Sequence, residues 1–430
     1  MISDLTAYLD SSPSPFHAVQ SAADLLTGVG FTECLERQET PRAPGRYFAR
    51  RGGSLVAWST EHAPGPAQGF RVVGAHTDSP NLRIKPKPDT LSAGWQGLGV
   101  EVYGGPLLHS WLDRDLGLSG RAVVRDGSRT STQLFAIDEP LLRVSQLAIH
   151  LNRELHTEGL KLNPQRHLVP HWGLGERPAD FHGFLAEHLD VSGTDLLAWE
   201  AMTHDLTPAR VIGRDKDLVA SARLDNQATC HAAVRALLAA CEHGIDTDEN
   251  PCAPTPLIVL FDHEEVGSTT ASGAQSTFLP GWLERIVAAC GGSHEDYLRA
   301  MACTAIASAD MTHATHPNYP DKHDGLHPVR MNGGPVLKVN AQERYATDAL
   351  GAAAFALACE QAGVPMQTFV NRTDLPCGST IGPMTAAATG ATVVDVGAAT
   401  LSMHSAREVC GVADHAAYTA ALGALLQPAA

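Results

Sequence analysis

The stretch VLFDHEEVGS, Val259 to Ser268, ends an apolar run in four titratable side chains, Asp262, His263, Glu264 and Glu265. Two adjacent carboxylates at the end of a buried strand repel each other, and burying either is costly without a positive partner. A metal ion, a cationic side chain or open water could meet that need. Other short apolar runs lead into polar chemistry in the same way. GFRVVGAHTDSP reaches His76 and Asp78, CTAIASADMTHATH reaches Asp310, and ATVVDVGAATLSMHSARE leads to His404. Asp225 opens a helical pattern, where an N-cap is its ordinary role. Taken singly, each has a structural explanation. Together, His76, His404, Asp225, Asp310 and one glutamate of the doublet make the mixed N/O set that zinc, cobalt or manganese accepts. Two divalent ions about 3.5–4 Å apart, sharing a carboxylate and a water, are a recurring hydrolase arrangement. One glutamate would then be a ligand and its neighbour a general base. Asp78, two residues after His76, has the character of a carboxylate that orients a metal-bound imidazole.

The elements that must position these residues are apolar strands alternating with amphipathic helices. DNQATCHAAVRALLAACEHG from Asp225 and RYATDALGAAAFALACEQAG from Arg344 read as helices closed by glycine. This pattern predicts an α/β fold with helices on both faces of a mixed sheet, its site beyond the carboxyl ends of the strands. From about Leu91 to Arg210 the character changes to short β-like runs punctuated by glycine turns, which predicts a mostly β insertion. Residues 1–90 with 211–430 form one discontinuous domain in this reading, and 91–210 the inserted one.

At 430 residues, with 44% hydrophobic and 18% charged residues, the chain is long enough for two or more domains with a substantial core. No apolar run approaches the roughly 20 residues of a membrane helix, and the acidic, periodic start does not read as a signal peptide. A net charge of −16 disfavours nucleic acid and anionic membrane as partners. Nine scattered cysteines, none spaced as CxxC, point to a reducing compartment, the cytoplasm.

Seven motifs in order, GAHTDSPNLRIKP, RLDNQATC, DHEEVGS, SADMTHATHPNYPDKHD, GGPVLKVNAQERYAT, TDLPCGSTIGP and MHSARE, resemble those of the M18 metallo-aminopeptidases, which include the aspartyl aminopeptidases. The resemblance runs from about residue 5 to 425. It implies a metallopeptidase catalytic domain interrupted by a β-rich dimerisation domain, and two zinc ions per subunit, with cobalt or manganese as substitutes. Carried over by residue, Asp225 bridges the ions, His76 and Asp310 complete one site, Glu265 and His404 complete the other, and Glu264 is the general base. His150, in SQLAIHLNRE, matches a family histidine that reaches a neighbouring subunit's active site as an oxyanion donor, with a zinc contact as a further reading. Tyr345 is a further substrate-binding candidate for the pocket that His150 serves. Lys338 matches a family lysine near the pocket for the first substrate side chain, where a lysine would favour Asp or Glu. The implied activity removes single N-terminal residues from peptides with a free amine, within a homo-oligomer of dimers assembled into a dodecamer. The competing readings are a dimetal amino-acid deacylase and a non-enzymatic scaffold particle that retains its metal ligands.

Overall fold

The structure is a computed structural model describing residues 1–243 and 253–428. Cys252, and Gly244 as the expected helix stop, lie outside the described residues. The chain divides into two compact units. Met1–Asp78, Ala209–Met403 and Glu408–Ala430 form the first, and Ser79–Pro208 with His404–Arg407 the second. The breaks fall at 78/79 and 208/209, against the 90/91 and 210/211 expected from composition. The strand Asn81–Ser92 accounts for the larger difference: it pairs with Trp95–Tyr103 from Asn81↔Tyr103 to Ser92↔Trp95, so it goes with its hairpin partner.

The first unit is built on a nine-stranded mixed sheet. At its centre Thr255–Phe261, Phe70–His76, Ala305–Ala309 and Thr392–Gly397 run parallel. Their near-continuous apolar sequences are what strands covered on both faces require. The pleat divides them between two layers. Ile258 and Leu260 pack with the helices Ile2–Asp10, Pro15–Thr27, Leu224–His243 and Val412–Leu426. Leu257, Val259 and Phe261 pack with Phe278–Ala289 and His294–Ala302 on the other side. Helices thus cover both faces. Leu260 is fully buried, and cutting it to alanine is expected to cost about 2–5 kcal/mol. A smaller five-stranded sheet contains Leu218–Ser221 and Glu408–Gly411, the strands that lead into Asp225 and away from His404.

The helix expected from Arg344 begins instead at Ala349. Asp348 caps it by accepting the Gly351 N–H, and Arg344–Thr347 stays irregular before it. The second unit is a six-stranded antiparallel sheet packed around Leu82, Leu98, Leu118, Phe135 and Phe181. Its segment 145–151 is exposed throughout, including Leu147, Ile149, His150 and Leu151. Among the described residues no helix is long and apolar enough to cross a membrane.

Candidate metal centre

In the first unit the carboxyl ends of the central strands converge on one set of polar side chains. His76 is the last residue of its strand and buried. Its Nδ1 lies 3.0 Å from the Asp78 carbonyl, which can only accept, so Nδ1 carries the hydrogen. Nε2 then turns its lone pair to carboxylates, 3.3 Å from Asp225 Oδ1 and 3.5 Å from Asp310 Oδ1. Asp225 and Asn226 have non-helical backbone angles at the start of the segment Leu224–His243, and the peptide bond between them is cis. Two contacts fix this entry. The Asp225 N–H donates to Glu408 Oε2 at 2.9 Å, and Asn226 Nδ2 donates to the Ala309 carbonyl at 2.9 Å, one residue before Asp310.

The acid doublet lies on a single 3₁₀ turn, Glu264–Val266. His263 (φ 66°) and Gly267 (φ 97°) flank it in the left-handed region, so the chain turns sharply at both ends. The Asp78 carboxylate accepts the Glu264 N–H through Oδ1 and the Glu265 N–H through Oδ2, each at 3.1 Å. Asp78 therefore orients the doublet's backbone with its side chain, and His76 with its carbonyl.

One ligand atom each from His76, Asp225 and Glu265 lies within 4.8 Å of the others. Asp310 joins them through His76, and its Oδ2 is 3.6 Å from the buried Lys338 ammonium. Asp78, Asp225, Asp310, Glu264 and Glu265 thus crowd together, with Lys338 a cation paired to one of them, Asp310. The imbalance shifts the pKa values of its members. Burial by itself would lower the His76 pKa, but Asp225, Asp310 and Asp78 outweigh it and hold it well above the usual value. Burial first, then Asp310, Glu265 and Asp78, push Glu264 well above the usual carboxylate range against the pull of His76. A lone pair aimed at two carboxylates at about 3.4 Å is repulsive unless a proton or a cation stands between them. The donor set, imidazole nitrogen with carboxylate oxygens, is one that divalent zinc accepts. The residues fit such an ion.

The remaining expected residues divide between the units. Lys338 and Tyr345 are both buried in the first, with the ammonium 5.5 Å from the Tyr345 ring centre. His404 falls in the second, where its Nδ1 lies 3.0 Å from the Gly105 carbonyl and its own carbonyl accepts the Leu107 N–H. His150 lies in the second unit on the exposed turn Ile149–Leu151. Glu408 and Asp395 are among the buried acids that escaped the sequence reading. Glu408, which holds the Asp225 N–H, stands at the end of MHSARE. Asp395 is the lone acid in the apolar strand TVVDVG, and that interruption was its only signal.

A sheet covered on both faces, with an imidazole and several carboxylates gathered beyond its central strand ends, defines a metal-dependent hydrolase. A family profile described as "Aminopeptidase I zinc metalloprotease (M18)" matches residues 8–425. The chain belongs to the M18 aminopeptidase family. It is 54% identical over 426 residues to a Mycobacterium tuberculosis protein named "Probable M18 family aminopeptidase 2", covering 98% of this chain and 97% of that one. A cryo-EM structure of the Ape4 and Nbr1 complex aligns with a TM-score of 0.94 at 35% identity, covering 99% of this chain and 85% of that one. The S. cerevisiae mApe1 dodecamer aligns with a TM-score of 0.84 at 26% identity, over 98% and 95% of the two chains.

Proposed function

We propose that the chain is a dizinc aminopeptidase that removes one N-terminal residue at a time from peptides with a free amine. The observation that carries this reading is the meeting of His76, Asp225 and Glu265 within 4.8 Å, with Glu265 on the same turn as Glu264. In this reading Asp225 would contribute to both ions, with His76 and Asp310 holding one and Glu265 and His404 the other. Bound there, zinc would make hydroxide accessible near neutral pH and polarise the scissile carbonyl.

The rest is the work of the chain's own groups. Glu264 accepts the proton of the attacking water, and the same carboxyl returns it to the departing amine as the C–N bond breaks. Asp78 keeps the doublet on its turn, so one glutamate can ligate while its neighbour stays a base.

Lys338 would recognise an acidic first residue. It is buried and committed to Asp310, so it serves a substrate carboxylate only when another cation balances Asp310. His150 would supply an oxyanion donor to a neighbouring subunit. The exposed apolar side chains around it, Leu147, Ile149 and Leu151, support a surface covered by a second copy, and the dodecamer of S. cerevisiae mApe1 supports a homo-oligomer built from dimers. The eight cysteines that stand free among the described residues suit the cytoplasm.

The test is elemental analysis of the purified protein together with hydrolysis of free-amine and N-acetyl dipeptides, with and without chelator. Cleavage of free-amine substrates alone, abolished by chelation, supports the aminopeptidase. Preference for the acetylated substrates would replace it with a deacylase. Metal-free protein with no hydrolysis of either would leave a scaffold.

A further inference from the structure

Asp395 is fully buried in the strand Thr392–Gly397. A carboxylate in a core costs several kcal/mol unless donors surround it. Here three segments supply them. Ser308 Oγ, on the adjacent strand Ala305–Ala309, donates at 2.6 Å, and Thr380 Oγ1, the N-cap of the helix Ile381–Thr389, donates at 2.5 Å. The Ala346 N–H donates to Oδ2 at 2.6 Å, while the Asp395 N–H donates to Thr347 Oγ1 at 2.8 Å. These last two bonds form a reciprocal clasp on residues 346 and 347, which belong to neither helix nor strand and directly follow Tyr345.

The clasp leads towards the metal centre. Tyr345 lies beside the Lys338 ammonium, and Lys338 reaches Asp310. Ser308 precedes Asp310 by two residues on the same strand end. On the other side a side chain at Gly382 would collide with the Asp395 carboxylate, so the start of the helix Ile381–Thr389 closes over it. Ser308 and Thr380 both donate to Oδ1, which leaves Oδ2 to the Ala346 N–H. The bonds to 346 and 347 hold an irregular segment with no ladder of its own.

We propose that Asp395 is a positioning residue for substrate: by clasping Ala346 and Thr347 it fixes Tyr345 against Lys338, and so sets the pocket that receives the first side chain of the peptide. This rests on the assignment of Lys338 to that pocket, with Tyr345 beside its ammonium.

The test compares Thr347→Val and Asp395→Asn with Val394→Ala, a buried change on the same strand that faces the opposite layer. Dipeptides with N-terminal Leu and Asp are the substrates, and hydrogen exchange of residues 345–347 and Tm are measured in parallel. Thr347→Val is expected to raise KM about 3- to 10-fold with kcat within about twofold, to change the Leu:Asp ratio, and to speed exchange at 345–347. Asp395→Asn is expected to do the same more strongly. Val394→Ala should lower Tm alone. If Asp395→Asn does not fold, Thr347→Val carries the test. The proposal is overturned if these variants lose Tm yet keep the wild-type KM and Leu:Asp ratio while the wild type turns over normally. A wild type that cleaves no free-amine peptide would remove the pocket assignment, and this proposal with it.

Discussion

Nε2 of His76 stands 3.3 Å from Oδ1 of Asp225, two residues brought together from distant parts of the chain. With Nδ1 committed to the Asp78 carbonyl, this nitrogen can ligate only on the side facing the acids. His76→Ala and Asp225→Ala are therefore expected to lose most bound zinc. Elemental analysis after gel filtration checks this. Chelation of the wild type should also lower Tm by several degrees, restored by added zinc, because an ion that binds only the folded state stabilises it.

The adjacent glutamates should behave differently. Glu264→Gln is expected to cut kcat by roughly 10²–10⁴-fold while metal content stays at the wild-type level. Glu265→Gln should lower metal content instead, with activity partly recovered at high zinc. Equal metal loss in both variants would reverse the division of labour on the turn Glu264–Val266.

A second buried pair predicts pH dependence of stability. His231 Nδ1 and His415 Nε2 are 2.9 Å apart, and His231 Nε2 is 2.8 Å from Asp4, which also pairs with Arg235. Burial, reinforced by His231, pushes His415 down to about 3, and burial lowers His231 as well. A lowered histidine pKa favours the neutral form in the folded state. Its contribution is thus complete above the unfolded value of about 6.5 and is lost as pH falls below it. The neighbouring Asp414, raised by burial to about 6, works in the opposite sense. The readout is therefore a difference: between pH 7 and 5 the wild type should lose about 2 kcal/mol more than His415→Asn in urea unfolding.

If His150 serves a neighbouring active site, activity should depend on assembly. His150→Ala is expected to lower kcat by about 10²-fold with zinc content intact. Mixing it with a Glu264→Gln variant should restore part of the activity, since some mixed contacts then pair an intact His150 with an intact Glu264. No recovery in verified mixed oligomers would place the histidine outside catalysis.

Substrate preference tests Lys338. A panel of N-terminal Asp, Glu and Leu dipeptides should show the acidic substrates losing about tenfold or more in kcat/KM on Lys338→Met, with Leu changed less. An unchanged ratio would leave Lys338 solely as the partner of Asp310.

The sequence by itself supplied the chemistry and the architecture. The acid doublet after an oily strand, the donors at other strand ends, and the alternation of strand with helix are local patterns of residue type and period, readable one window at a time. Order of motifs was enough to indicate the family. Lys338 was different: in PVLKVN it reads equally well as a lysine in water, yet it is buried against Asp310. Asp78 reads as a partner for the His76 ring, which its carbonyl meets at 3.0 Å and its carboxylate at 3.5 Å, but that the same carboxylate also holds the doublet's N–H groups was not legible. Glu408 and Asp395 went unnoticed because the donors they accept come from segments far away in sequence. Burial, ion pairing and hydrogen-bond satisfaction are properties of several segments meeting at one point, so only the tertiary structure decided which charged groups face one another.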